Sequence, residues 1–262
     1  MTEWNASGYD RISALQAAMA EEALSLLDFR GTESVLDIGC GNGKITSEIA
    51  ARVPRGRIVG VDASAKMIAF ATEHAGSLQF SNLEFAVADA RHLAFNQEFD
   101  RVVSFNALHW IPEQALALES IRAAIKPSGV AQLRQVSKGA RKSLENVIEE
   151  TRLSPQWERY FQGFRNPYLH LSPEQYEALA KRHAFTILRI HTADKSWDFQ
   201  SRSGFVAFGT VTFVEWTQHL PEAAHHKFIN DVLDRYQKIA CTQPGEENYF
   251  RFYQMDITLA PS

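Results

Sequence analysis

Cysteine is nearly absent: Cys40 and Cys241 are the two in 262 residues. Two thiols cannot build the disulfide framework of a small secreted domain, and they suit a reducing, cytoplasmic setting. No apolar run approaches the roughly 18 residues that a membrane span needs. The opening Met1-Thr2-Glu3-Trp4-Asn5 has neither a basic n-region nor an apolar h-region, so secretion is not expected and Asn5-Ala6-Ser7 reads as a chance sequon. A formal charge of −4 leaves no basic footprint for nucleic acid or a membrane surface. Internal repeats and low-complexity segments are also missing. What remains is a chain that is 45% hydrophobic, enough to bury one sizeable core.

Within that chain, three of the 14 glycines stand at alternate positions in one turn. Ser34-Val35-Leu36-Asp37-Ile38 reads as a buried strand, Gly39-Cys40-Gly41-Asn42-Gly43 as a tight loop, and Lys44 to Ala50 as the start of a helix. A strand, a glycine loop and a helix form the first βα unit of a nucleotide-binding sheet. Glycine is needed where the backbone takes positive φ or meets a ligand without a Cβ in between. The spacing G-x-G-x-G departs from the dinucleotide pattern, which requires glycine where Lys44 stands. Asp37 would repel a pyrophosphate, yet it suits a ligand that carries an ammonium.

Along the chain, strands and helices alternate. Residues 10–28 carry apolar side chains at helical spacing. Arg57 to Asp62, Leu83 to Asp89 and Phe99 to Asn106 read as further strands, the first two ending in an acid. Ser64 to His74 and Gln114 to Ile125 read as crossover helices, the latter stopping at Lys126-Pro127-Ser128-Gly129 before a fifth strand over Val130 to Val136. Residues 138–182 look helical, with Trp157, Tyr160, Phe161, Phe164, Tyr168 and Tyr176 among them. Phe185 to Trp197 and Tyr249 to Leu259 read as two more strands on either side of helices over 203–240. This alternation predicts an α/β fold, a doubly wound, mostly parallel, seven-stranded Rossmann-like sheet. A single domain over 1–262 is expected, with core segments 28–137, 184–198 and 247–260. The segments 1–27, 138–183 and 199–246 are expected as a helical lid over the carboxyl ends of the strands.

The glycine turn and the three strand-end acids, in this order, resemble class I S-adenosylmethionine-dependent methyltransferases. The likeness is close over residues 30–137 and follows the general order of elements elsewhere. It implies S-adenosylmethionine as cofactor. Gly39, Gly41 and Gly43 would let the backbone meet its methionine part, with Asp37 near the ammonium. Asp62 would accept from both ribose hydroxyls, and Asp89 from the adenine amine beside the Ala90 backbone. Ala63 and Met67 would line the adenine face, and Asn106 belongs to the same cofactor-binding set. Each residue also has an ordinary structural reading, since glycine makes tight turns and a strand-end Asp caps helices. The combination in order and spacing is what points to a ligand.

The acceptor side is read from Asn106-Ala107-Leu108-His109-Trp110-Ile111-Pro112. The Asn-Pro-Pro-Tyr of adenine amino-methylating enzymes is missing here; Asn166-Pro167-Tyr168 reads as a turn, and no metal-ligand acids are evident. The Asn-Ala-x-His-Trp run, with Trp4-Asn5 and Tyr9, resembles the trans-aconitate methyltransferase group. Leu15-Gln16 resembles the juvenile hormone acid methyltransferases. Both groups make methyl esters of small carboxylic acids. The resemblance implies that Tyr9 closes over the cofactor while Gln16, His109 and Trp110 face the acceptor as catalytic residues. As plain structure, Trp110 is also a core aromatic, His109 a cap or exposed residue, and Gln16 and Tyr9 solvated. A carboxylate with a pKa of about 4 is ionised at neutral pH and needs no general base. A phenol or protonated amine would need one, and His109 is the evident candidate. Arg134, Arg141, Arg165 and Arg202 could pair an acidic substrate but read first as surface cations. The expected partner is a small molecule with a carboxylate and an apolar body. The rival readings are a C- or N-methyltransferase using His109 as base, and a non-catalytic S-adenosylmethionine-binding protein. An NAD oxidoreductase would have to tolerate Asp37 and Lys44 beside a pyrophosphate.

Overall fold

A computed structural model describes residues 13–78 and 80–262. Its sheet has seven strands: β1 (Ser34–Ile38), β2 (Arg57–Asp62), β3 (Leu83–Val87), β4 (Phe99–Phe105), β5 (Ile125–Ser137), β6 (Phe185–Asp198) and β7 (Tyr249–Pro261). Their order is β3-β2-β1-β4-β5-β7-β6. The first five run parallel, and β7 lies antiparallel between β5 and β6. The expected fold is the observed one. The strand order reverses between β1 and β4, so a crevice opens there beyond their carboxyl ends, where open α/β sheets bind ligands.

Period-two alternation explains both faces of the sheet. On one face Leu36, Ile38 and Val102 pack with Leu118 and Ile121 of helix α4 (Gln114–Ala124) and with Tyr176 of α6 (Pro173–Arg182). On the other, Val35, Ile58 and Val103 pack with Ile49 of α2 (Lys44–Arg52) and Leu24 of α1 (Ser13–Ser25). The crossover from β2 to β3 is α3 (Ala65–Leu78). A third, aromatic cluster joins α5 (Leu144–Arg152), α7 (Arg202–Thr212), α8 (Val214–Thr217) and α9 (Glu222–Ala240) to the start of β7.

Some boundaries differ from expectation. β3 stops at Val87, so Asp89 lies two residues beyond it. β5 begins at Ile125 rather than Val130: Phe99 pairs with Ile125 and Arg101 with Val130, so Lys126 to Gly129 bulge out of the strand. Pro127 has no N–H to offer a ladder. A Cβ on Gly129 would lie 2.6 Å from Ile125 Cγ1 and 3.0 Å from the Phe99 carbonyl, so glycine lets the bulge fold back. The 138–182 segment is not helical throughout. Two helices there, α5 and α6, each open on a reciprocal serine capping box, Ser143 with Asn146 and Ser172 with Gln175. Between them the chain, carrying Pro155, Gly163 and Pro167, makes one short helical turn over Glu158–Tyr160. Asn166 Oδ1 accepts from the Tyr168 N–H at 3.2 Å, the expected turn.

Candidate active site

The glycine loop is held by backbone bonds and one carboxylate. The Gly39 and Cys40 N–H groups donate to the Val61 carbonyl at 2.8 and 3.0 Å. Asp62, at the end of β2, accepts from the Gly41 N–H through Oδ2 at 3.0 Å and from the Ser64 N–H through Oδ1 at 2.9 Å. The three glycines have φ of 72°, 54° and 76°, but they serve different ends. A Cβ on Gly39 would lie 2.2 Å from Ala107 Cβ, and one on Gly43 would meet Phe85 and Ala71 below 3 Å. A Cβ on Gly41 would meet nothing within 4 Å, so its Cα is bare toward the crevice. That open cradle, next to a half-buried strand-end carboxylate, fits the methionine and ribose of S-adenosylmethionine.

The crevice at the switch point measures about 390 Å³ and is walled by Gly39, Gly41, Asp62, Ala63, Met67, Asp89, Ala90 and Asn106. Three cofactor candidates are not among its walls. Gly43 packs inside as the N-cap of α2. Tyr9 lies outside the described residues. Asp37 is 2% exposed and buried under the loop, where it accepts a hydrogen bond from Thr46 Oγ1 at 2.7 Å. Burial pushes its carboxyl up to about 7, the Thr46 bond opposes that rise, and the Asp62 charge adds to it. Asp37 Oδ2 is turned toward the first turn of α2. Asp89 is gripped by Arg91, whose Nε and guanidinium reach both carboxylate oxygens at 2.7–3.0 Å. That pairing holds Asp89 below the usual carboxylate range.

A second chamber, of about 230 Å³, shares Gly39, Gly41, Phe105, Asn106 and Trp110 with the crevice. Asn106 has φ of 57° and accepts from Gln254 Nε2 at 3.1 Å. The chamber's other walls come from Leu15 and Met19 of α1, Leu144, Glu145 and Ile148 of α5, and Phe208, Phe213, Trp216, Phe250 and Phe252. His109 and Trp110 both face it. Gln16 sits on α1 beside Leu15, but its side chain lies outside the described residues. The aromatic residues noted in 138–182 are packing groups: Trp157, Phe161 and Tyr168 fill the helical cluster, and Tyr176 the sheet core. Besides Phe105 and Trp110, the chamber aromatics come from residues 208–216 and 250–252, where alternation and helical spacing look like any core.

His109 is 3% exposed and its Nδ1 accepts from the Val136 N–H at 3.4 Å, which leaves the ring proton on Nε2. Burial, then the neighbouring His170 charge, holds the imidazole well below its ordinary value, so it is neutral at physiological pH. Its ring lies 5.4 Å from that of Trp110 and 5.6 Å from that of His170. The charged walls of the chamber among the described residues are Lys44 and Glu145. No arginine is there. Arg134 is buried rather than on the surface, paired with Asp256 at 2.6 Å and Glu22 at 3.2 Å. Arg141 pairs with Asp194 and Arg202 with Asp234.

Fold and site together define a class I transferase built around S-adenosylmethionine. Residues 30–181, more than half of the chain, match the methyltransferase domain family, and the chain belongs to it. It is 33% identical over 127 residues to the trans-aconitate 2-methyltransferase of Deinococcus radiodurans, a match spanning 48% of this chain and 47% of that one. Against the trans-aconitate 2-methyltransferase of Shigella dysenteriae it is 26% identical over 253 residues, spanning 95% and 93%. Its fold is similar to that of phosphoethanolamine N-methyltransferase 2 of Haemonchus contortus, solved with phosphomonomethylethanolamine and S-adenosylhomocysteine, at a TM-score of 0.60 and 19% identity over 92% of this chain and 53% of that one. No helix among the described residues is long and apolar enough to cross a membrane. The protein is an S-adenosylmethionine-dependent methyltransferase.

Proposed function

We propose that this methyltransferase esterifies the carboxylate of a small, largely apolar acid. The observation that carries the reading is the apolar chamber that opens into the cofactor crevice past Phe105, Asn106 and Trp110. Gly39 and Gly41 would meet the methionine part of S-adenosylmethionine, Asp62 the ribose, and Asp89, Ala90, Ala63 and Met67 the adenine. When bound, the cofactor supplies an electrophilic methyl group on a cationic sulfur. The chain then has to hold an anionic oxygen in line with that methyl and exclude water, and positioning of this kind is worth several kcal/mol.

The state of His109 favours a carboxylate over acceptors that must lose a proton. A histidine held far below its ordinary pKa is a weak base, whereas its Nε2–H is a good donor to an oxygen already ionised. The first helix and the segments 138–183 and 199–246 would close the chamber as a lid, in a cytoplasmic enzyme. Trans-aconitate itself fits poorly, because a polycarboxylate wants several cations and the described chamber walls offer Lys44 alone against Glu145. The test is a panel of monocarboxylic acids, polycarboxylic acids, phenols and amines with methyl-labelled cofactor. Label released by mild alkali from monocarboxylates is expected; alkali-stable label on an amine or carbon would sink the ester reading.

A further inference from the structure

Three carboxylates are buried among the described residues: Glu33, Asp37 and Glu145. Two are fully accounted for. Glu33 accepts from the backbone N–H groups of Arg30, Gly31 and Thr32, and Asp37 from Thr46. Glu145 is 8% exposed, lines the acceptor chamber, and has neither a hydrogen bond nor an ion pair to any described residue. Its neighbour one turn along α5 shows the contrast: Glu149, which is not a chamber wall, is taken by Arg152 at 2.7 Å and by Trp216 Nε1 at 2.6 Å.

An ionised carboxylate in an apolar wall is expensive unless something donates to it. The chamber that Glu145 lines is walled by Leu144, Ile148, Phe250 and Phe252, with Lys44 the one cation among its described walls, and the titratable groups coupled to Glu145 are His170, Tyr168 and Tyr236. None of these three donates to it. Tyr168 instead receives the Asn146 amide, and Tyr236 donates to the Arg251 carbonyl. A built cavity whose one buried acid has no donor among the described residues has a ready use for that acid: it completes its hydrogen bonds with the ligand.

We propose that Glu145 is a specificity-determining residue that reads an N–H or O–H donor, a protonated amine above all, on the body of the methyl acceptor. The inference rests on the second chamber being the acceptor site, as in the proposed function, but not on which atom of the acceptor is methylated. Glu145 selects for the donor by attraction and against a second acid by repulsion, so one side chain does both. A substrate with one anionic end and one donor end would then enter in a single orientation.

The test uses the full chain with S-adenosylhomocysteine bound and four probes of one length: octanoate, 8-hydroxyoctanoate, 8-aminooctanoate and n-octylammonium. Binding is read by calorimetry, so no methyl transfer is needed. Wild type is expected to bind 8-aminooctanoate at least tenfold tighter than octanoate, with the hydroxy acid between them. Glu145→Gln, which keeps the side-chain shape, is expected to erase that order and to weaken n-octylammonium at least tenfold. Retained S-adenosylhomocysteine affinity shows that the variant is folded, and Glu145→Ala repeats the comparison. Failure of both amines to bind wild type, or amine affinities within twofold in Glu145→Gln, overturns the assignment. Separate assay of methyl ester distinguishes the two readings: binding that depends on Glu145 without ester formation leaves this proposal standing and removes the carboxylate one.

Discussion

The Asp62 carboxylate and the Gly41 N–H, 21 residues apart in sequence, meet at 3.0 Å across the mouth of the crevice. Asp62 therefore shapes the cofactor loop, and in the proposed reading its carboxylate also accepts from the ribose. Asp62→Ala is expected to weaken S-adenosylmethionine binding at least tenfold, about 1.4 kcal/mol. Calorimetry checks it, and an unchanged affinity would refute the ribose assignment.

Gly39 and Gly41 should respond differently to alanine. Gly39→Ala adds a collision with Ala107 to an already left-handed backbone, so the fold itself suffers, by 2 kcal/mol or more on the scale of about 1–3 kcal/mol for strain alone. Gly41→Ala has room and pays only the strain, but its methyl projects where a ligand would lie. We expect a modest fall in Tm for Gly41→Ala with a large loss of S-adenosylhomocysteine affinity. Equal melting losses for the two variants would contradict this division.

For His109, the expectation is a donor rather than a base. His109→Ala should lower turnover at least tenfold with cofactor affinity within twofold of wild type. His109→Gln, which keeps an N–H donor, should recover part of the loss. Wild-type turnover is expected to be flat from about pH 6.5 to 9, because the imidazole is already neutral throughout that range. A rise with pH following a single ionisation near 7 would restore the base reading.

Asp37 should leave a mark on stability against pH. Its carboxyl is raised from 3.8 to about 7 in the folded protein. Between those values the folded state holds a proton that the unfolded state has lost, so this group's contribution falls as pH rises from about 4 to 7 and is level above. Groups held low, such as Asp89, and the buried His109, act in the opposite sense. The difference between wild type and Asp37→Asn isolates the Asp37 part. Asp37→Asn is expected to gain on wild type as pH goes from 5 to 8, by about 2–4 °C in Tm per kcal/mol recovered. A constant difference across that range would show that Asp37 is ionised when buried.

Much of this enzyme was legible along the chain because its signals are local. Ser34 to Lys44 encode a buried strand, a turn that needs positive φ, and a helix start within a few residues of one another. Alternating βα units leave few ways to wind a sheet, so the doubly wound, mostly parallel architecture followed. Asp62, Asp89 and Asn106, each at or just beyond the end of a strand, line one crevice because such positions converge at the switch point. Strand position alone does not say which way a carboxylate turns; at Asp37 the Thr46 hydroxyl, nine residues on, takes one oxygen. Beyond His109 and Trp110, the walls of the second chamber could not be read from spacing. Its walls come from α1, α5, α7, α8 and β7, and a core Phe and a chamber Phe look the same in sequence. The sequence by itself determined the cofactor loop and the fold that presents it. Only the tertiary structure decided that Arg134 is buried in an ion pair and that Glu145 lines a largely apolar chamber with no partner among the described residues, because the desolvation and pairing of a charge depend on neighbours that only folding brings together.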